Sequence, residues 1–226
     1  MIQVFAPTRL PPVDMREVLR YAGDRGQEPS TDRIQALIPE ALEHIRGQVC
    51  FDIFPLGEVT PEAVDLGFTV VSSRSLSSLL AGSAFAAVFG ATLGLAYDRF
   101  IARTSRLSPA DAWFLHALGT ERIEALCDQF EEELRRQGHV LTRRFSPGYG
   151  DVPLALQKDL FRVLDCSRKI GLTLNASLLM SPSKSVTALM GLLDKGALDL
   201  HGAERGGCQS CSKTDCAFRE ENRKNR

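Results

Sequence analysis

The sequence predicts an α+β domain: a twisted, mainly antiparallel sheet with flanking helices, followed by a short cysteine-rich C-terminal appendage. Three observations predict it. Of 226 residues, 44% are hydrophobic and 24% charged, the balance of a folded globular chain. Helix-period and strand-like segments alternate irregularly, without the βαβ rhythm of a parallel sheet. After Lys195-Gly196 the apolar periodicity stops and Gly, Cys and charged residues take over, which divides the chain into a domain of residues 1–196 and an appendage of residues 197–226.

The elements follow in order. Met15, Val18, Leu19 and Ala22 share a helical face over 13–23, and Gly23 stops it. Ser30-Thr31-Asp32 opens a second helical pattern through Ile34, Leu37, Ile38, Ala41, Leu42 and Ile45, closed by Gly47. Val49–Leu56, Glu58-Val-Thr60 and Phe68–Val71 carry β-branched and aromatic residues between turn formers, so short strands are expected in 48–72. A helix over Ser75–Ala81, a buried strand over Ala84–Thr92 and a helix over Leu95–Thr104 come next. Ser108-Pro109-Ala-Asp111 starts the longest helical pattern, which runs to Arg136 with Glu131–Glu133 mostly outward as a solvated face. The spacing then predicts a helix over Leu154–Ile170, a strand over Leu172–Leu179 and a last helix over Ser183–Leu193.

Length and charge narrow the function classes. A chain this long buries about 70% of its unfolded surface without metal or disulfide help. A formal net charge of −1 gives no positive field to gather phosphate backbones, so no nucleic-acid partner is expected. Residues 75–97 are free of charge, but their Ser, Gly and Ala content suits a buried helix and strand better than a membrane span. The N-terminus lacks the basic and apolar regions of a secretory signal, and a cytoplasmic location is expected.

Chemistry concentrates in two loops. Arg143-Arg144-Phe145-Ser146-Pro147-Gly148-Tyr149-Gly150 is a tight turn in which Arg144 offers a fork to a carboxylate, the bend presents amides and carbonyls, and Tyr149 supplies a ring face. A solvent-facing turn is the plainer reading; a zwitterionic ligand with a cationic centre, such as S-adenosylmethionine, would use all three features. In Met180-Ser-Pro-Ser-Lys184-Ser185-Val186 a lysine near a helix start opposes the dipole, so Lys184 either meets an anion there or points to water.

Taken together, Arg144–Tyr149, Gln157–Leu164 with Phe161, Ile170–Leu174 and Pro182–Val186 resemble the activation domain of cobalamin-dependent methionine synthase, most of all its stand-alone form. Val18–Gly23, Thr92–Gly94 and Gly119–Glu124 extend the resemblance over about residues 10–195. It implies an S-adenosylmethionine site formed by Arg144, Pro147, Gly148 and Tyr149, with acidic support from Glu121 and Glu124 and with Lys184 and Ser185 nearby. The family's next proline is delayed here to Pro153, behind Gly150-Asp151-Val152.

The resemblance also implies a task. Cob(II)alamin on a separate cobalamin-dependent methionine synthase, or a related corrinoid protein, takes one electron from a low-potential donor, and the resulting cob(I)alamin accepts the methyl of S-adenosylmethionine. Uphill reduction is drawn forward by downhill methyl transfer, so the module's part is to hold the sulfonium in line with cobalt. No general acid or base is required, and His44, His116, His139 and His201 have no evident catalytic partners.

Cys50, Cys127 and Cys166 fall in apolar-periodic segments and are expected as small buried hydrophobes. Cys208, Cys211 and Cys216 form C-x2-C-x4-C in a hydrophilic segment. That spacing suits zinc, with His201 as a fourth ligand, or an iron–sulfur cluster completed by another cysteine or a partner residue; redox-active thiols, or no role, remain alternatives. The appendage also leaves open a different function, that of a non-catalytic metal-binding partner or sensor of a corrinoid methyltransferase.

Overall fold

The computed structural model describes residues 1–24 and 28–193. Along the chain these form β1 (Gln3–Phe5), α1 (Met15–Ala22), α2 (Glu28–Glu43), β2 (Gln48–Pro55), β3 (Ala63–Asp65), β4 (Val70–Ser72), α3 (Arg74–Leu80) and β5 (Ser83–Thr92). There follow α4 (Leu95–Ser105), α5 (Pro109–Arg136), β6 (Val140–Leu141), α6 (Leu156–Leu164), α7 (Cys166–Ile170), β7 (Thr173–Leu174), β8 (Met180–Ser181) and β9 (Ser185–Leu193). The α+β class is as expected: a five-stranded sheet of order β1-β2-β5-β9-β6, antiparallel at each pairing, stands between two helical layers.

The central strands are apolar on both faces, and their residues alternate between two cores. Val49, Phe51, Ala87, Phe89, Ala91, Ala188, Met190 and Leu192 meet α1, α2, α4 and α5. Cys50, Val88 and Leu189 turn the other way, toward α3, α6, α7 and the β3–β4 hairpin. Cys50, Cys127 and Cys166 are buried as expected, and the Sγ atoms of Cys50 and Cys166 lie 3.6 Å apart.

Local chemistry sets the helix ends. Asp14 caps α1 by accepting from the Arg16 and Glu17 amides, and Gly23 closes it with φ +69°. The Ser108 hydroxyl accepts from the Asp111 N–H and Pro109 opens α5.

Several sequence expectations are corrected. Where a helix over Ser183–Leu193 is expected, Ser185–Leu193 forms strand β9; a strand buried on both faces lacks a polar face, so its run of Ala, Leu and Met imitates a buried helix. Leu172–Leu179 is no continuous strand: the Asn175 side chain accepts from the Ser177 and Leu179 N–H groups, each at 2.9 Å, and turns the chain between β7 and β8. The helix over 154–170 breaks at Asp165, whose φ is +49°. α2 spans Glu28–Glu43, starting before Ser30 and ending short of Gly47. Glu58–Thr60 contributes only a bridge, Val59 to Val64, and β1 had no counterpart in the sequence reading.

Gly119 lets α4 lie close against the middle of α5. A Cβ there would come within 2.5 Å of the Tyr97 ring, which is buried and anchored by its hydroxyl on the Leu115 carbonyl at 2.7 Å. Alanine is the better helix former, yet Gly119→Ala is expected to destabilise by about 1–3 kcal/mol through overpacking, read as a lowered midpoint in chemical denaturation.

Candidate functional site

The site grows from an unfinished sheet edge. β6 pairs only with Leu192 and Leu193, and Phe145 adds one bridge at Leu189, exchanging hydrogen bonds of 2.8 and 2.9 Å with it. Among the described residues Ser185–Thr187 therefore have no strand neighbour on that side of β9. A cleft of about 400 Å³ opens there, lined on different sides by Glu124 of α5, Arg144, Phe145, Pro147 and Tyr149 of the connecting loop, and Gln157 of α6. That volume lies within the ~300–1,000 Å³ common for small-molecule sites.

The loop's bend closes on itself. The Gly148 N–H donates to the Val152 carbonyl (3.0 Å) and the Tyr149 N–H to the Ser146 carbonyl (3.3 Å). Gly148 and Gly150 hold φ of +89° and +56°, the left-handed region that favours glycine. The amides expected to face a ligand are thus engaged inside the turn, while Pro147 is buried and the Tyr149 ring stands exposed at the rim. Asp151 then ties the loop to the start of α3: its carboxylate accepts from the Ser73 hydroxyl, the Arg74 N–H (2.7 Å) and the Ser75 N–H (3.2 Å). The Ser73 bond, aided by Ser75 and Arg74, holds the Asp151 carboxyl down at about 2.

Arg144 is the electrostatic centre. Its guanidinium donates to Glu124 (2.7 Å), Asp128 (2.6 Å) and Glu131, three carboxylates on one face of α5. Burial opposes its charge, but these neighbours hold the guanidinium above its ordinary value. Glu131, expected outward, is instead buried against Arg144 and Arg135. A ligand carboxylate must compete with this set. Glu124 is the acid that lines the cleft and remains partly exposed there.

Glu121 lies elsewhere. It is buried, paired with Arg122 and accepting from the Asp14 N–H at 3.1 Å, while Arg122 donates to the Pro11 and Pro12 carbonyls. These contacts fasten the N-terminal segment to α5, and Glu121 is not among the cleft's lining residues. Lys184 is also outside the cleft. It precedes a strand, so the dipole argument made for it does not apply; its Nζ donates to Thr120 Oγ1 at 2.9 Å, and burial lowers its pKa against the opposing influence of Asp98. Ser185 does line the cleft, with its hydroxyl 2.8 Å from the Pro182 carbonyl and 2.9 Å from Thr92 Oγ1.

Two lining residues were not singled out as site residues from the sequence. Gln157 and Thr187 are buried, and Gln157 Oε1 and Thr187 Oγ1 have no hydrogen-bond partner among the described residues. An orphaned buried oxygen costs roughly 1–3 kcal/mol, so two along one cleft are unusual. No sequence signal marks them, because a Gln in a first helical turn and a Thr in a strand are ordinary choices. By contrast, the spacing of Glu124, Asp128 and Glu131 would have revealed a shared acidic stripe.

Cys208, Cys211, Cys216 and His201 lie outside the described residues. Among the described residues no group of three or more His, Cys, Asp or Glu is placed to hold a metal ion, and no helix is long and apolar enough to cross a membrane.

No protein-family model and no curated protein matches the chain. Among solved structures it is similar to the MetH reactivation domain bound to AdoHcy, with a TM-score of 0.56 and 16% identity, over 84% of this chain and 78% of that one. The likeness shows a shared fold.

Two expectations follow from the site. Because Asp151 titrates below its unfolded value of about 3.8, its contribution to stability is present above that pH and is lost as pH falls toward 2. Melting temperature should therefore drop more steeply between pH 4 and 2 in the parent than in Asp151→Asn. Arg144→Ala leaves the buried Glu131 carboxylate with Arg135 alone and should cost about 1–3 kcal/mol in urea unfolding, part of which Glu131→Gln restores.

Proposed function

We propose that the chain is an S-adenosylmethionine-binding reactivation module, acting on a separate cobalamin-dependent methionine synthase or related corrinoid protein. One observation carries the reading: on a fold shared with a reactivation domain solved with AdoHcy, Arg144, Glu124 and Tyr149 converge on one cleft at an open sheet edge. Residues 1–196 form the working module in this reading, and residues 197–226 its appendage.

The residues present suit the ligand. Arg144 offers charge to the amino-acid carboxylate in exchange with the α5 acids, Glu124 offers counter-charge to the ammonium, and the exposed Tyr149 ring offers its face to the sulfonium. The methyl leaves sulfur as a cation equivalent while cob(I)alamin supplies the electron pair, giving methylcobalamin and S-adenosylhomocysteine. A low-potential donor supplies the single electron that first converts cob(II)alamin to cob(I)alamin. The chain's own task is to bind, orient and shield, which needs no proton transfer.

The competing reading, a metal-binding partner or sensor without turnover, draws on the C-x2-C-x4-C spacing of Cys208, Cys211 and Cys216. Turnover separates the two. A mixture of this chain, the cognate corrinoid methyltransferase, a chemical reductant and S-adenosylmethionine should form methylcobalamin at a rate that depends on the chain; independence would favour the sensor. Because Tyr149 is exposed, Tyr149→Leu should fold normally yet weaken S-adenosylmethionine binding by about 0.5–2 kcal/mol in calorimetry, with a smaller loss for S-adenosylhomocysteine, whose sulfur carries no charge.

A further inference from the structure

Cys50 and Cys166 are two nucleophiles for which the proposed function has no use. Cys50 stands in β2 opposite Gly90 of β5, and Cys166 opens α7, which packs on both strands. The two residues are 116 positions apart in the sequence and both are fully buried, with their Sγ atoms in contact at 3.6 Å. Gly90 makes the room for them, because a Cβ there would stand 3.1 Å from Cys166 Sγ and 3.6 Å from Cys50 Sγ. Among the described residues no His, Asp or Glu joins the pair to hold a metal ion, so its chemistry is that of a dithiol.

The cover over the pair is thin. α7 is a single turn entered and left through the left-handed residues Asp165 and Gly171, and its Ser167, Arg168 and Lys169 face solvent. Such a turn opens locally at far lower cost than the whole domain unfolds. Cys127 is the opposite case: it lies inside the 28-residue α5 and is uncovered only when the main core comes apart.

We propose that Cys50 and Cys166 are a redox-sensitive pair that hydrogen peroxide converts to a disulfide, a covalent staple between β2 and α7. Contact with Cys166 lowers the pKa of Cys50 and raises that of Cys166, so Cys50 supplies the thiolate. Its sulfur attacks one peroxide oxygen, which gives a sulfenic acid and releases the other oxygen as water. The Cys166 sulfur then attacks the Cys50 sulfur and expels its oxygen as a second water. The two thiols lose two electrons and two protons, and one peroxide becomes two waters. To bond, the sulfurs must close by about 1.5 Å, a movement that a one-turn helix absorbs.

The test exposes the reduced full chain to hydrogen peroxide, blocks the remaining thiols under denaturing conditions and maps the peptides. Those of Cys50 and Cys166 should be recovered linked to each other and should separate on reduction, while Cys127 stays a free thiol. The linked protein should melt about 5 °C or more above the reduced one, because the bond closes a long loop in the unfolded chain. Cys50→Ala and Cys166→Ala should each abolish the link and the shift; if either fails to fold, the parent's peptide map still decides. Recovery of Cys50 and Cys166 unlinked, a link from either to Cys208, Cys211 or Cys216, loss of the Cys127 thiol at the same rate, or a linked form that melts below the reduced one overturns the proposal.

Discussion

The antiparallel pairing of β9 with β5 is the constraint on which the rest of the structure depends. Nearly every residue of both strands is covered, by helices on one face and by α3, α6 and α7 on the other. β9 is the last described strand, yet it lies inside the sheet, between β5 and β6. The core is therefore complete only when the C-terminal part of the domain has been threaded into place. The same arrangement creates the cleft, because the short β6 leaves the beginning of β9 uncovered.

Charge then organises what packing leaves open. Arg144 reaches from the loop to three carboxylates of α5, which binds the loop to the long helix and draws Glu131 into the interior. Such a cluster carries an excess of negative charge around one guanidinium, an arrangement better matched to a ligand with a positive centre than to a simple anion.

Much of this was legible in the sequence where the physics is local. Asp14 with Gly23, and Ser108 with Pro109, mark helix ends through hydrogen bonds that span a few residues, and the structure has those ends. The Arg144–Tyr149 turn announced itself by Pro147 and Gly148. What was lost is tertiary: β9 read as a helix because burial on both faces erases the two-residue period, and Glu131 read as solvent-facing because its partner lies 13 residues away. The dipole argument for Lys184 fails for a derived reason, since the helix start it supposes is a strand start. Gln157 and Thr187 carry no pattern at all, for their oddity is an absence of partners that only a three-dimensional arrangement can reveal.

The doubly fastened loop has one more consequence. With Phe145 bridged to β9 and Asp151 fixed to the start of α3, the segment between them is a span tied at both ends, not a flap on a hinge. A guest molecule therefore arrives at a receptacle already in shape, losing its own freedom but demanding little from its host. Recognition of that kind favours quick capture, because binding waits on no rearrangement of the host.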